Sequence, residues 1–215
     1  MVEDNADNLV QQVYSRLKEM IVSGGLKPGE KIRQEKMAET LGISRTPLVK
    51  AFQILEQELL LESIPRRGMY VRQSNIYDML DAYECRQGIE TTAVRIITNK
   101  ITISKFEELK SIFDPFLNSK NINREEYLKA DFHFHNMIIQ ISNNNYLIKM
   151  NQIANIYNRT YRIGLIREPL ETLPEHLMIL SAIETKDTGL AEEYMRNHIR
   201  KSIEQIKLKI KENKT

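Results

Sequence analysis

Four histidines occur in the chain, at positions 133, 135, 176 and 198, and three of them fall where they can act together. Asp131 and His135 stand four residues apart in a stretch that reads as helix, so their side chains project from one face about one turn, roughly 5.4 Å, apart. That spacing suits two ligands of one metal ion. His176 and His198 belong to two later helical stretches, each set against an apolar stripe (Leu177, Leu180 and Ile183; Tyr194, Met195 and Ile199), and inward-facing residues of an antiparallel bundle can converge in its core. Three imidazoles and one carboxylate suit a borderline divalent transition metal, zinc or nickel first and manganese or cobalt after them. His133 points about 200° away from the Asp131–His135 face and is excluded. The competing reading is a hydrogen-bonded Asp131–His135 pair on a helix surface and two unrelated histidines. A metal-dependent hydrolase or lyase is a further alternative for the same set. Such enzymes keep an open coordination position and usually a nearby base, and the chain has no His-Glu-x-x-His motif, glycine-rich phosphate loop or nucleophile elbow. No catalytic residue is assigned.

A second constellation lies near the start of the chain. Gly42-Ile43-Ser44-Arg45-Thr46-Pro47 reads as the tight turn and helix start of a helix-turn-helix, with Ser44 as N-cap and Pro47 in the first turn, where its missing N–H costs nothing. Ser44, Arg45 and Thr46 then stand at the exposed tip of a recognition helix. Arg45 suits bidentate contact to a guanine, and the two hydroxyls suit phosphate oxygens. Arg66-Arg67-Gly68 offers two cations and a glycine that lets the backbone approach closely, which suits a wing in a minor groove. Singly, these residues also read as a cap, a solvated charge and a polar hairpin turn. In this order and spacing they point to DNA.

The elements that must position these groups follow from periodicity. Residues 8–22 form an amphipathic helix ending at Gly24-Gly25, a second helix runs from Gln34 to Leu41, and a third follows Ser44 with Leu48, Phe52 and Leu55 on one side. Leu59 to Ile64 and Met69 to Arg72 read as two strands joined across Pro65-Arg66-Arg67-Gly68. Three helices and a β-hairpin make a winged helix-turn-helix. Turn signals become scarce after Ser74, and the remainder divides into six helices: Tyr77–Asn99, Ser104–Ser119, Arg124–Ser142, Tyr146–Ile166, Leu170–Lys186 and Gly189–Glu212. Ser104 with Glu107 reads as a capping box. The expected architecture is mainly α: a winged helix-turn-helix over 1–74 and an all-α six-helix bundle over 75–215.

Composition sets outer bounds. At 215 residues, 41% hydrophobic and 28% charged, the chain can build real cores, which excludes a disordered tail, a collagen-like fibre and a disulfide-stapled miniprotein. A lone cysteine, Cys85, excludes an internal disulfide and paired-cysteine zinc or redox motifs. Apolar runs such as Met137-Ile138-Ile139 fall far short of the roughly 18 residues of a membrane span. The acidic, polar start is unlike a secretory signal, so a cytoplasmic location and no membrane partner are expected. Net charge is only +2, so nucleic-acid binding must rest on placement rather than bulk charge, and residues 27–72 hold nine basic side chains against six acidic ones.

The stretch Gly25-Leu26-Lys27-Pro28-Gly29-Glu30-Lys31-Ile32, followed by Met37 to Leu48, Leu55-Glu56 and Arg66-Arg67-Gly68, resembles the N-terminal domain of GntR-type bacterial transcription regulators. The resemblance implies DNA contact by Ser44, Arg45 and Thr46 and by the wing at Arg67 and Gly68. The chain departs at Val49-Lys50, where the family usually shows Arg-Glu; Lys50 is the replacement charge for that phosphate contact. Arg86-x-x-x-Glu90, Asp131 with Phe134-His135, Asn145 with Leu147, Glu175-His176 and Ala191-x-x-x-Met195-x-x-His198 are similar to the FCD effector domain of the FadR-type branch. The six-helix count resembles its shorter, VanR-like subgroup. This resemblance implies that Asp131, His135, His176 and His198 bind a metal beside a pocket for a small carboxylate. Arg86 is the expected carboxylate partner, because a guanidinium presents a matching planar fork, although an intrahelical pair with Glu90 is the rival role. Asn145 is a second pocket candidate, or the cap of the helix at Tyr146. The expected whole is a ligand-responsive repressor that binds operator DNA as a homodimer, or, alternatively, a regulator whose metal is structural or is itself the signal.

Overall fold

Local chemistry decides where the first elements start and stop. The computed structural model describes the backbone of residues 2–73, 75–119, 121–160 and 165–213, with the side chains of 2–7 and 153–160 outside that description. The chain divides into two compact units, the second beginning at Ile76. In the first, α1 (Val2–Val22), α2 (Gln34–Leu41) and α3 (Arg45–Gln57) are joined by three short strands, β1 (Lys31–Ile32), β2 (Leu61–Ile64) and β3 (Gly68–Val71). Gly42 ends α2 in the left-handed region (φ +65°), and the N–H groups of Gly42 and Ile43 bond back to Glu39 and Ala38. Leu17 and Ile21 of α1 and Leu48, Phe52 and Leu55 of α3 form the core with Leu61 and Val71.

The sheet has three strands rather than the two of the expected hairpin. Its order is β1-β3-β2, all antiparallel, with Lys31 opposite Tyr70 and Ile64 opposite Gly68. β1 is two residues long and has no alternation to betray it; pairing with β3 defines it. β2 starts at Leu61 rather than Leu59, because Leu59 takes a left-handed conformation (φ +59°) to leave α3.

The second unit is helical: α4 (Ile76–Thr98), α5 (Ile103–Ser111), a 3-10 turn (Asp114–Phe116), α6 (Arg124–Ile141), α7 (Asn145–Thr160), α8 (Pro169–Glu184) and α9 (Thr188–Glu212). α5 is shorter than the expected Ser104–Ser119: Pro115 lacks the N–H to continue it, and the chain tightens into the 3-10 turn. Its cap is Thr102, whose hydroxyl accepts from the N–H of Lys105, and not Ser104. The expected helix from Tyr146 to Ile166 is also longer than the one found. The described α7 ends at Thr160, and Leu165–Glu168 is irregular; Pro169 holds Glu168 extended (φ −71°, ψ 147°) as the N-cap of α8. The rest of that expected helix lies outside the described residues.

α4 and α9 form the longest helix pair of this unit. α4 buries Met79, Ala82, Ile89, Ala93 and Ile97, and α9 buries Ala191, Met195, Ile199, Ile203 and Ile206. Arg86 and Glu90 interrupt the first row, and His198 and Ser202 the second, all buried. Polar groups in otherwise apolar packing rows are a local conflict that marks a functional site.

Candidate metal centre and DNA-reading surface

Asp131, His135, His176 and His198 each bring one ligand atom to a common point, all within 4.8 Å of one another. α6 supplies Asp131 and His135 one turn apart, α8 supplies His176, and α9 supplies His198. Nε2 of His135 lies 3.3 Å from Nε2 of His176 and 3.2 Å from Nε2 of His198. Oδ1 of Asp131 lies 3.4 Å from Nε2 of His176 and 3.9 Å from that of His135. The three imidazoles are buried, and Asp131 is half-buried.

Two of the three imidazoles are held by their other nitrogen. Nδ1 of His198 lies 2.8 Å from Oε2 of Glu175, and Nδ1 of His176 lies 3.0 Å from the Tyr127 hydroxyl. Nδ1 of His135 faces Oε2 of Glu90 at 2.5 Å, close but off the line of a well-formed hydrogen bond. The Tyr127 hydroxyl also meets Oγ1 of Thr172 at 2.9 Å, and Thr172 donates to the carbonyl of Glu168. The donor sequence His176 Nδ1–H to Tyr127 to Thr172 to Glu168 is self-consistent, and burial pushes the Tyr127 phenol up so that it remains a donor. With Nδ1 carrying the proton, every Nε2 presents a lone pair. Three lone pairs facing one another cannot satisfy each other, whereas one cation satisfies all three, so the donor set fits a metal ion.

The surroundings favour neutral imidazoles. Burial, together with the neighbouring histidines and arginines, pushes His176 well below 6.5, and burial also lowers His198 despite its bond to Glu175. Burial pushes the Glu90 carboxyl up, but the Arg86 guanidinium beside it outweighs that and holds it at about 2. Arg86 gives Nε to Oε1 of Glu90 at 2.7 Å and lies 4.7 Å from the centre of the Tyr83 ring. Glu175 is held by Arg167 through a two-pronged contact of 2.7 and 2.8 Å and by Lys201 at 2.7 Å. Arg86, Arg167, Asp131, His135 and His198 line one cavity of about 40 Å³. Asn145 does not line it: it is exposed as the first residue of α7, and the cap is Asn144, whose Oδ1 accepts from the N–H groups of Tyr146 and Leu147.

In the first unit, Ser44, Arg45, Thr46 and Lys50 are exposed at the start and along the outer face of α3. Ser44 is the N-cap by backbone position, but its hydroxyl makes no cap bond. Arg66, Arg67 and Gly68 are exposed at the tip of the β2–β3 hairpin. The N–H of Arg67 bonds to the carbonyl of Ile64, with Arg66 at φ +63°. A groove lined by Lys31, Arg33, Glu35, Arg45 and Gly68 opens beside the recognition helix and the wing. Lys31 and Arg33 were not singled out in the sequence, because their place in the groove depends on β1.

The chain matches the gntR family of bacterial regulatory proteins over residues 9–71 and the FCD domain over residues 81–201. It belongs to the GntR family, in the FadR-like branch that carries an FCD domain. It is 26% identical to the HTH-type transcriptional regulator YdhC of Bacillus subtilis, covering 94% of this chain and 93% of YdhC. It is 24% identical to the HTH-type transcriptional repressor RspR of Escherichia coli, covering 94% and 91% of the two chains. The fold is also that of Escherichia coli McbR/YncC, with a TM-score of 0.68, 22% identity, and coverage of 94% of this chain and 98% of that one. These relatives are transcription regulators, not enzymes, and this GntR-family chain is a DNA-binding transcription regulator with a buried cluster of one aspartate and three histidines able to take a metal.

Three supporting residues of the regulator were not identified from sequence as site residues: Tyr127, Arg167 and Glu175. Glu175 stands next to His176 in sequence but reaches a different imidazole, that of His198 on α9. Only the packing of α8 on α9 reveals that. Tyr127 lies one turn before Asp131 on α6, so its position on the ligand-bearing face was available as a signal.

Proposed function

We propose that this regulator is a repressor acting in the cytoplasm as a homodimer. Residues 1–74 bind operator DNA, and residues 75–215 bind a divalent metal and a small carboxylate effector. The observation that carries the metal reading is the meeting of three Nε2 atoms, with His135 within 3.3 Å of each of the other two and the rings of His176 and His198 held from behind through Nδ1. Asp131, His135, His176 and His198 are the ligands, and the nitrogen-rich set favours zinc or nickel, with manganese or cobalt as weaker fits. A metal there supplies a Lewis-acidic docking point for a carboxylate oxygen. Arg86 supplies a guanidinium to the same cavity, held in place by Glu90.

The position of the cavity, with Arg86 and the metal-ligand side chains on one side and Leu165, Ile166 and Arg167 on another, supports a two-state mechanism. Leu165, Ile166 and Arg167 help to form one of its walls, which in this reading a carboxylate seated between the ligand cluster and Arg86 displaces. A ligand that binds only the displaced arrangement shifts the population toward it. The wall movement is transmitted to the DNA-binding domains and relieves repression. The repressor sign is supported by the likeness to RspR, itself a repressor. The six helices among the described residues of the second unit support the short, VanR-like form. One recognition helix and one wing read one half-site, so a two-fold dimer fits a near-palindromic operator. Among the described residues, no helix is long and apolar enough to cross a membrane.

Ser44, Arg45, Thr46 and Lys50 of α3 and Arg66, Arg67 and Gly68 of the wing are the DNA contacts in this reading, supported by their exposure on two neighbouring elements of one unit. The test is a thermal-shift screen against mono-, di- and tricarboxylates, run on the metal-loaded protein and again after chelation. A carboxylate that raises Tm only with metal bound supports the full reading. Chelation that lowers Tm with no carboxylate raising it assigns the metal a structural or sensory role and removes the effector function of Arg86.

A further inference from the structure

Nη2 of Arg45 lies 2.6 Å from Oε1 of Glu35, an ion pair between the first residue of α3 and the second residue of α2. Both side chains are largely in solvent, 66% and 78% exposed, so the pair adds little to stability. Its consequence is conformational. A free arginine samples many rotamers, whereas this one is tied, through a contact spanning ten residues of sequence, to the mouth of the groove between recognition helix and wing. Among the described residues lining that groove, Lys31, Arg33 and Arg45 are basic and Glu35 is the one acid. A carboxylate placed where phosphates approach weakens binding to every duplex alike. Such a repulsive element can still raise the difference between right and wrong sequences, because specificity is a difference of affinities.

We propose that Glu35 is a positioning residue for base recognition. By taking one N–H of Nη2, it fixes the plane of the Arg45 guanidinium and leaves its other N–H groups for O6 and N7 of a guanine. Its negative charge penalises sites where Arg45 finds no base partner and would otherwise settle on a phosphate. The inference rests on the assignment of Arg45 to the DNA-reading surface.

Selection from a random duplex library, followed by sequencing, tests it on the full-length protein. Wild type, Arg45→Ala, Glu35→Ala and Glu35→Asp are compared, all at exposed positions where the fold is not at stake. Wild type enriches a motif, and Arg45→Ala loses preference at one base pair of it. Glu35→Ala is expected to keep the motif, lose at least about fivefold of the discrimination at that base pair, and bind an unrelated duplex more tightly. Glu35→Asp, with the charge kept and the reach shortened, falls between. Unchanged base frequencies at the Arg45-dependent position in Glu35→Ala overturn the role of Glu35 and leave the recognition helix standing. A wild-type protein that enriches no motif overturns the DNA-reading assignment and this inference together.

Discussion

Oε2 of Glu90 faces Nδ1 of His135 at 2.5 Å, in the interior of the helical unit. The same carboxylate accepts from Nε of Arg86, so one buried anion serves both a proposed metal ligand and the cation proposed to meet an effector. Replacing Glu90 by Gln keeps the shape and removes the charge. Nδ1 of His135 then loses the neighbouring carboxylate charge that favours its proton there, and metal affinity is expected to fall by about 10–100-fold. Arg86 is left as a buried cation without its anion, a loss of about 3–5 kcal/mol of stability. Metal-competition titration and urea unfolding measure the two effects. A Glu90→Gln protein with wild-type metal affinity shows that Glu90 serves Arg86 alone.

The depressed basicity of His176 and His198 gives the metal-free protein a definite pH dependence. Both groups have folded values below the ordinary 6.5, so on acidification the unfolded chain takes up their protons first. Stability in chelator is therefore full above about pH 7 and declines as pH falls through about 6.5, continuing until the folded-state values are reached. Glu90, held at about 2, titrates outside this window. Urea midpoints measured in chelator at steps from about pH 8 down to about pH 5.5 are expected to fall across the acidic half of the series. A flat series means that the imidazoles are not held neutral by burial.

The sequence carried the local half of these relationships and not the tertiary half. Asp131–His135 and Arg86–Glu90 were legible because an α-helix brings residues four apart onto one face. The meeting of His176 and His198 with them was open on spacing alone, since it depends on how α6, α8 and α9 pack. Glu90 and Glu175 behind the imidazoles were unreadable for the same reason. Boundaries failed where a single residue changes the backbone: Leu59 at a left-handed turn, Pro115 after α5, and Asn144 rather than Asn145 at the cap of α7. β1 is too short to show a period at all.

Arg66 holds a left-handed conformation (φ +63°) at the third position of the wing turn, where glycine is the usual occupant. Glycine there relieves roughly 1–2 kcal/mol of backbone strain and returns about 0.5–1 of it as extra unfolded-chain entropy. Arg66→Gly is thus expected to raise stability by about 0.5–1 kcal/mol while weakening DNA binding through loss of a wing cation. The DNA loss shows as a shallower dependence of log affinity on log salt, by about one unit if Arg66 meets one phosphate. Opposite signs in the two measurements separate a wing contact from a turn residue. An unchanged salt slope assigns the wing contact to Arg67 alone.

Tyr127 offers the cleanest test of the metal centre, because it touches His176 without engaging either arginine of the cavity. Its hydroxyl lies 3.0 Å from Nδ1 of His176 and 2.9 Å from Oγ1 of Thr172, so when Nδ1 carries the proton the hydroxyl accepts it and donates to Thr172, which leaves Nε2 of His176 as the lone pair. Phe113 stacks on the same imidazole, with ring centres 4.7 Å apart and planes at 12°, so the ring keeps its place when the hydroxyl is removed. Tyr127→Phe therefore changes the tautomer balance and little else. The Nδ1–H becomes a buried donor without an acceptor, costing about 1–3 kcal/mol in the metal-free protein. The proton can then move to Nε2, and metal must displace it, so affinity is expected to drop about tenfold. Isothermal titration with zinc, in two buffers of different protonation enthalpy, counts the protons released. Wild type and Tyr127→Phe should release the same number of protons, because the proton on Nε2 returns to Nδ1 when the metal binds, and should differ in affinity. If the affinities match, the tautomer of His176 is set by the metal itself and not by Tyr127.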